Sequence, residues 1–206
     1  MPADTTTLAA ILRPAPRDRR PVDTVRVTSL VRQLLDAIGE DPDREGLVDT
    51  PSRVARWWAE FLDHDAGSVD TVFNHTTDAD GLVLLRGIEA WSLCEHHLLP
   101  FRLNVSIAYV PHAKVLGLSK LVRQLRAHTH GLQLQERITD QVAAAIAKAA
   151  GTDDVAVYAE GEHLCMSMRG VEASGVRTIT SCRLGRTASD PDLATRVERL
   201  ATATWR

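Results

Sequence analysis

The quartet Cys94-Glu95-His96-His97 stands between two segments of strand-like composition, residues 82–91 and 103–110, and Pro111 closes the second segment. Neighbouring strands joined by a short connection pair in an antiparallel sense. The sequence therefore predicts two adjacent strands joined by a corner that is rich in potential metal ligands.

Two helices are predicted after these strands. The first spans about Leu118 to Thr129, and the second runs from near Gln133 to Gly151, a residue type that often ends helices. Beyond Gly151 the apolar period falls to two, which predicts strands over residues 155–160, 164–169 and 176–182. The order ββααββ predicts an α+β fold, with an antiparallel sheet and helices on one face.

The rest of the chain is predicted to be an arm and further helices. Residues 1–24 are rich in Pro, Arg, Thr and Ala without periodicity, which indicates a flexible arm. In a helical region over residues 25–80, apolar spacing predicts a helix from Thr24 to Glu40, and Thr50-Pro51 resembles the capped start of a second. The predicted catalytic domain covers residues 81–206 and ends in a helix over 191–205.

Composition limits the class of protein. The chain has 206 residues, a net charge of −3 and 44% hydrophobic residues, which are ordinary values for a globular protein. Such a charge excludes nucleic-acid binding through a strong overall positive field. No segment reaches the roughly 18–20 apolar residues that span a bilayer, and three cysteines argue against a disulfide framework. We therefore expect a cytoplasmic protein without nucleic-acid or membrane partners.

Three residues have the chemistry of a zinc site. Cys94 and His97 are three residues apart, so both side chains can face one point on a turn. Cys165 is a candidate third ligand, and on its predicted strand His163 would share its face. Three protein ligands leave a position for water, as in catalytic zinc sites. The same spacing is equally compatible with cysteines that pack as small hydrophobic residues.

His96 and Cys182 are weaker candidates for metal ligands. His96 should point away from His97 and could contact substrate or support a ligand. Cys182 has no histidine nearby, so we expect it to be structural.

A group of cations could hold an anion. Lys120 and Arg123 are three residues apart on a predicted helix, Ser119 adds a hydroxyl, and Arg169 lies on the segment that carries Cys165. Residues of these types also commonly form a solvated helix face.

Gln135 and Glu136 begin the second predicted helix. An acidic residue there favours the positive end of the helix dipole. Its carboxylate could instead accept two hydrogen bonds from a guanine edge.

Several blocks in order over residues 25–185 resemble the GTP cyclohydrolase I family. They are residues 38–42 with 44–47 (IGEDP, REGL), 50–55 (TPSRVA), 94–101 (CEHHLLPF), 115–121 (VLGLSKL), 133–139 (QLQERIT) and 163–171 (HLCMSMRGV). This resemblance implies a tunnelling fold assembled as two face-to-face pentameric rings, with active sites between subunits.

The resemblance also implies a reaction. Cys94, His97 and Cys165 would bind Zn²⁺ and activate water to attack carbon 8 of the guanine of GTP, with release of formate. Rearrangement would give 7,8-dihydroneopterin triphosphate, for tetrahydrofolate or pterin biosynthesis. The implied roles of the other residues are proton transfer by His96, His163 and Ser119, guanine binding by Gln135 and Glu136, and triphosphate binding by Lys120, Arg123 and Arg169.

Some positions depart from the family pattern. Gly131 stands where many relatives carry a basic residue, and Arg183 and Arg186 are less typical. These departures leave open a paralogue that serves a deazaguanine or other specialised pathway. A tunnelling-fold nitrile reductase, which uses a cysteine nucleophile and NADPH without zinc, and a non-catalytic ring are further alternatives. Metal content and nicotinamide oxidation distinguish the reductase.

Overall fold

The structure, a computed structural model, describes residues 20–67, 72–74, 81–112 and 114–203. Among these, residues 20–65 form one compact unit and residues 66–203 belong to another. Most of the predicted arm, residues 1–24, lies outside the described residues.

The N-terminal unit consists of two helices that pack on each other, α1 (Thr24–Ala37) and α2 (Thr50–Leu62). The Asp23 side chain caps α1 by accepting a hydrogen bond from the Arg26 amide. The prediction that Thr50 caps α2 is wrong by one residue. Thr50 is already helical, and Asp49 occupies the capping position.

Seven strands lie in the described part of the larger unit. In chain order they are β1 (Val72–Asn74), β2 (Val83–Cys94), β3 (Pro100–Tyr109), β4 (Lys114–Leu116), β5 (Leu132–Gln133), β6 (Val155–His163) and β7 (Thr178–Arg183). Five of them form a sheet in the order β5-β2-β3-β6-β7, which is antiparallel except for the parallel pair of β5 with β2. The strands β1 and β4 form a separate antiparallel pair.

Five helices complete the described part of this unit. They are α3 (Leu118–Thr129), α4 (Gln135–Ala150), α5 (Leu164–Ser167), α6 (Arg186–Ser189) and α7 (Pro191–Thr202). Gly151, with a φ of 65°, ends α4 in the left-handed conformation, as its sequence position predicts. None of the described helices is both long enough and apolar enough to cross a bilayer.

The main core lies between the sheet and the two long central helices. Val105 on β3, Val157 on β6 and Ile138 on α4 are fully buried in it. The α+β fold with these helices on one face is therefore confirmed. On the opposite face, Val197 of α7 packs on Ala108 and Ala156 in a smaller cluster that the sequence did not predict.

The predicted strand over residues 164–169 is wrong. The chain leaves the sheet at His163 and forms the one-turn helix α5, in which the Met168 amide donates to the Leu164 carbonyl. Strand β3 pairs with β6 only as far as His163, and β7 only as far as Gly161. Residues directly beyond His163 therefore have no strand partner.

Candidate metal and catalytic site

The corner between β2 and β3 is a tight turn around Cys94. The Cys94 amide donates to the Leu99 carbonyl at 2.9 Å, and the Leu98 amide donates back to the Cys94 carbonyl at 2.8 Å. Leu98 has a φ of 57°, a left-handed conformation that is uncommon outside glycine. The turn brings His97 back on Cys94, with Nδ1 and Sγ 3.7 Å apart.

Strand pairing carries the third candidate ligand to this corner. Strand β6 runs antiparallel to β3, and its last residue, His163, pairs with Phe101 near the corner. Cys165 follows in the first turn of α5. The ligand atoms of Cys94, His97 and Cys165 all lie within 4.8 Å of one another.

This donor set fits a metal ion. Two sulfurs and one ring nitrogen are the ligand types that zinc prefers, and three protein ligands match a catalytic rather than a closed site. Burial and the neighbouring Cys94 raise the pKa of the Cys165 thiol. A divalent cation at this point would reverse that effect, because it stabilises thiolates.

His163 is held beside this group, but not in the way predicted. It ends β6 while Cys165 lies on α5, so the two residues do not share a strand face. The His163 ring stacks on Phe101, with centroids 4.5 Å apart and planes 9° from parallel, and its Nε2 lies 2.8 Å from Gln135 Oε1. Burial lowers the pKa of His163, while the charge of Glu136 partly opposes this shift.

The two residues that begin α4, Gln135 and Glu136, differ in their exposure to solvent. Glu136 is exposed, and its charge acts on His163. Gln135 is 1% exposed, and its side-chain amide is bound within the chain by the carbonyls of Ala159 and Thr178. This placement differs from the expectation that Gln135 contacts guanine.

Glu95 and Arg137 form an ion pair that sequence reasoning missed. Arg137 Nη1 lies 2.7 Å from Glu95 Oε2 and Nη2 lies 3.0 Å from Oε1, a bidentate arrangement. The Arg137 guanidinium holds the pKa of Glu95 below its usual value. The two residues are 42 positions apart, so no local spacing could have indicated their contact.

The remaining candidates lie on neighbouring elements. Ser119, Lys120 and Arg123 occupy α3, which packs against β2, with Ser119 exposed and Lys120 buried. Arg169 lies close enough to Cys165 for its charge to oppose the rise in the pKa of that thiol. His96 is exposed, and its ring stands nearly perpendicular to that of His97, at 87° and 6.2 Å.

Two of the atypical positions have structural contacts. The Gly131 carbonyl accepts hydrogen bonds from the Leu93 amide and the Ser92 hydroxyl, both at 3.3 Å, beside the pairing of β5 with β2. Arg186 binds Asp154, which precedes β6 at the end of the sheet far from Cys94.

Comparison with known proteins gives a consistent family. A model of the family described as GTP cyclohydrolase I matches residues 27–202. Curated relatives named GTP cyclohydrolase 1 include one from Hyperthermus butylicus, 46% identical over 87% of this chain and 92% of the relative. Another from Aquifex aeolicus is 47% identical over 80% and 89%, and one from Bifidobacterium longum is 44% identical over 90% and 93%.

A solved structure also matches in part. The archaeosine synthase QueF-Like in the apo form aligns with a TM-score of 0.41 at 17% identity, over 52% of this chain and 94% of that one.

Proposed function

This chain belongs to the GTP cyclohydrolase I family, and from that premise we propose that it hydrolyses GTP at a zinc site formed by Cys94, His97 and Cys165. One observation carries the proposal. Three ligand atoms from the β2–β3 corner and from α5 lie within 4.8 Å of one another, beside an imidazole held in place by two contacts.

The reaction we propose has two hydrolytic stages. Water adds at carbon 8 of guanine and the imidazole ring opens to a formamide, and a second water hydrolyses this formamide so that carbon 8 leaves as formate. The ribose then rearranges to a ketone and closes onto the pyrimidine amine with loss of water, which gives 7,8-dihydroneopterin triphosphate. Zn²⁺ in a three-ligand site lowers the pKa of water and so supplies a nucleophile near neutral pH.

The protein's own residues would move the protons. His163 is partly buried, its ring is fixed, and its lowered pKa keeps the imidazole neutral and able to accept a proton. His96 is exposed next to ligand His97 and is a second candidate for proton transfer. Ser119 on α3 would act in the later rearrangement.

Other residues would hold the substrate. Glu136 presents an exposed carboxylate at the start of α4, where it could accept two hydrogen bonds from guanine. Lys120, Arg123 and Arg169 would bind the triphosphate, because charge-assisted hydrogen bonds contribute about 1.5–3 kcal/mol each.

We further propose a cytoplasmic homo-oligomer, a decamer of two pentamers. The outer strand β7 supports association, because its Ile179 side chain is 74% exposed. An edge strand with an exposed apolar residue can pair with a second copy. Native mass spectrometry should give ten chains per particle; a monomer at micromolar concentration would contradict the proposal.

Metal analysis combined with product identification tests the function. Zinc-loaded protein incubated with GTP should release one formate per GTP and form a product that becomes a fluorescent pterin on oxidation. Protein that contains zinc at Cys94, His97 and Cys165 but leaves GTP unchanged would refute the proposal. Protein without zinc that oxidises NADPH would indicate a nitrile reductase instead.

A further inference from the structure

The Gln135 side-chain amide has a fixed orientation. Its Nε2 lies 3.1 Å from the Ala159 carbonyl, 2.9 Å from the Thr178 carbonyl and 3.2 Å from the Thr180 hydroxyl. Backbone carbonyls can only accept hydrogen bonds, so the amide nitrogen must face them. A rotated amide would place its oxygen against two carbonyl oxygens in a site that is 1% exposed.

This orientation determines which ring nitrogen of His163 carries the hydrogen. Because Gln135 Oε1 can only accept, the His163 Nε2 that lies 2.8 Å away must carry a hydrogen. Stacking on Phe101, with planes 9° apart, holds the ring in the same plane. In the neutral ring Nδ1 is then unprotonated, and Nδ1 makes no hydrogen bond with the described part of the chain.

Gly161 leaves space for this arrangement. A Cβ atom at Gly161 would lie 2.1 Å from Gln135 Oε1 and 2.9 Å from its Cδ, so the Gln135 side chain would have to move. Any larger residue at position 161 would therefore displace the amide from His163. Gly161 lies two residues before His163 on β6, so the strand that carries His163 also leaves the space that the Gln135 side chain occupies.

We propose that Gln135 is a positioning residue that holds His163 in the Nε2–H tautomer, so that Nδ1 is the ring nitrogen left for a contact with the substrate. The proposal rests on the function proposed above and assigns Gln135 an indirect role in place of a guanine contact. The bond to Gln135 and the stack on Phe101 hold the ring on two sides.

The test uses zinc-loaded protein with ¹⁵N-labelled histidine. NMR couplings between ring nitrogens and carbon-bound protons distinguish the two neutral tautomers, and a His163→Gln variant assigns the signal among the 8 histidines. We expect Nε2–H in the wild type and a mixture in Gln135→Leu, which removes the acceptor. Gln141→Leu is a matched control, since Gln141 is another buried glutamine of α4, and it should keep the wild-type signature.

Kinetics add a second readout. Gln135→Leu should lower kcat for GTP about 10- to 100-fold with bound zinc unchanged, as loss of a supporting hydrogen bond typically does. Its KM should stay within about twofold, because no substrate contact is lost. Gln135→Glu keeps an acceptor oxygen but places its second oxygen against the Ala159 and Thr178 carbonyls, so it should not restore kcat, and Gly161→Ala should reproduce the loss.

Two results would overturn the inference. One is an Nδ1–H tautomer in the zinc-loaded wild type. The other is a Gln135→Leu variant whose KM rises at unchanged kcat, which would make Gln135 a direct contact to guanine. The NMR measurement does not depend on turnover. A wild type that is inactive on GTP would refute the proposed function, while the NMR data would still decide the tautomer of His163.

Discussion

Two arginine–carboxylate pairs lie at opposite ends of the sheet in the larger unit. Glu95 and Arg137 join the corner after β2 to α4, and their side chains are 30% and 38% exposed. Asp154 and Arg186 lie where β6 begins, and the Asp154 side chain is only 7% exposed. The two pairs use the same chemistry, but the carboxylate of Asp154 is far more buried than that of Glu95, while the two arginines are similarly exposed.

The two pairs also differ in what they connect. Asp154 accepts hydrogen bonds from both the backbone amide and the side chain of Arg186, each at 2.7 Å, and lies 3.3 Å from His112 Nε2. It thus ties the start of β6 to the segments after β3 and β7. Glu95 instead directly follows Cys94, a proposed zinc ligand, and its partner Arg137 lies on α4, the helix that begins with Gln135 and Glu136. The Asp154 pair should therefore affect stability, and the Glu95 pair should affect the site.

The largest effect should come from the corner itself. Cys94→Ala removes a ligand and should abolish zinc binding and lower activity by more than about 100-fold. Cys182→Ala is the control, because burial raises the pKa of Cys182 to about 12 and leaves an inert thiol on β7. Metal analysis and formate release check both variants. Equal zinc content in the two would contradict the assignment of Cys94 as a ligand.

The Glu95 pair should give the next largest effect. Arg137→Ala removes the ion pair that joins Glu95, in the turn after Cys94, to α4. We therefore expect zinc affinity or kcat/KM to fall about 10-fold. The free energy of unfolding of the metal-free protein should change by less than about 1 kcal/mol, since the pair is partly exposed. Zinc titration, steady-state kinetics and urea unfolding measure these quantities.

Arg102 offers a matched control for Arg137. It forms an ion pair with Glu89 across β2 and β3, is more exposed than the Glu95 pair, and involves none of the three candidate ligands. Arg102→Ala should leave zinc affinity and kcat/KM unchanged. If both variants lost activity equally, the Glu95 pair would have no special link to the site.

The Asp154 pair should show the opposite pattern. Asp154→Ala removes the acceptor of the hydrogen bonds from the Arg186 amide and from Arg186 Nε, and should lower the free energy of unfolding by about 1.5–3 kcal/mol. Asp153→Ala, at an exposed neighbouring side chain, should change it by less than about 0.5 kcal/mol. Activity per folded molecule should be unchanged in both. A lower kcat in an Asp154→Ala protein that is fully folded would contradict the conclusion that the Asp154 pair affects stability and not the site.

These contrasts show what could be predicted from sequence. Helix α3 matches its predicted range of Leu118 to Thr129, and Gly151 ends α4 as expected, because helix periodicity and a left-handed glycine are local signals. The meeting of Cys94, His97 and Cys165 was proposed from ligand chemistry and family resemblance. In the structure it depends on the pairing of β3 with β6, which no local pattern specifies.

The missed features all depend on contacts between distant segments. The segment after His163 has the composition of a strand but forms α5, because its pairing with β3 ends at His163 and its pairing with β7 at Gly161. Gln135 looks like any polar residue at a helix start, and only the fold shows that its amide is buried against β6 and β7. Arg186, which seemed atypical for the family, has a partner 32 positions away.

The smallest expected effect is a pH dependence confined to acid. Burial raises the pKa of Asp154, but hydrogen bonds from Arg186 outweigh it, so the net pKa is lowered. A carboxylate with a lowered folded-state pKa contributes stability above its unfolded pKa of about 3.9 and loses that contribution as pH falls through the folded value. The gap in unfolding free energy between wild type and Asp154→Asn should thus be constant above about pH 5 and shrink below pH 4.

Metal release would obscure this small effect, because zinc binding is itself pH-dependent. Both proteins should therefore carry Cys94→Ala, and urea unfolding should be measured from pH 7 down to about 3, the range over which such a carboxylate titrates. Asp153→Asn in the same background controls for the loss of one negative charge. If the unfolding free energies of the two proteins differ by the same amount at every pH, the pKa of Asp154 is the same in the folded and unfolded states. The hydrogen bonds from Arg186 would then position this end of the sheet without favouring the charged form of Asp154.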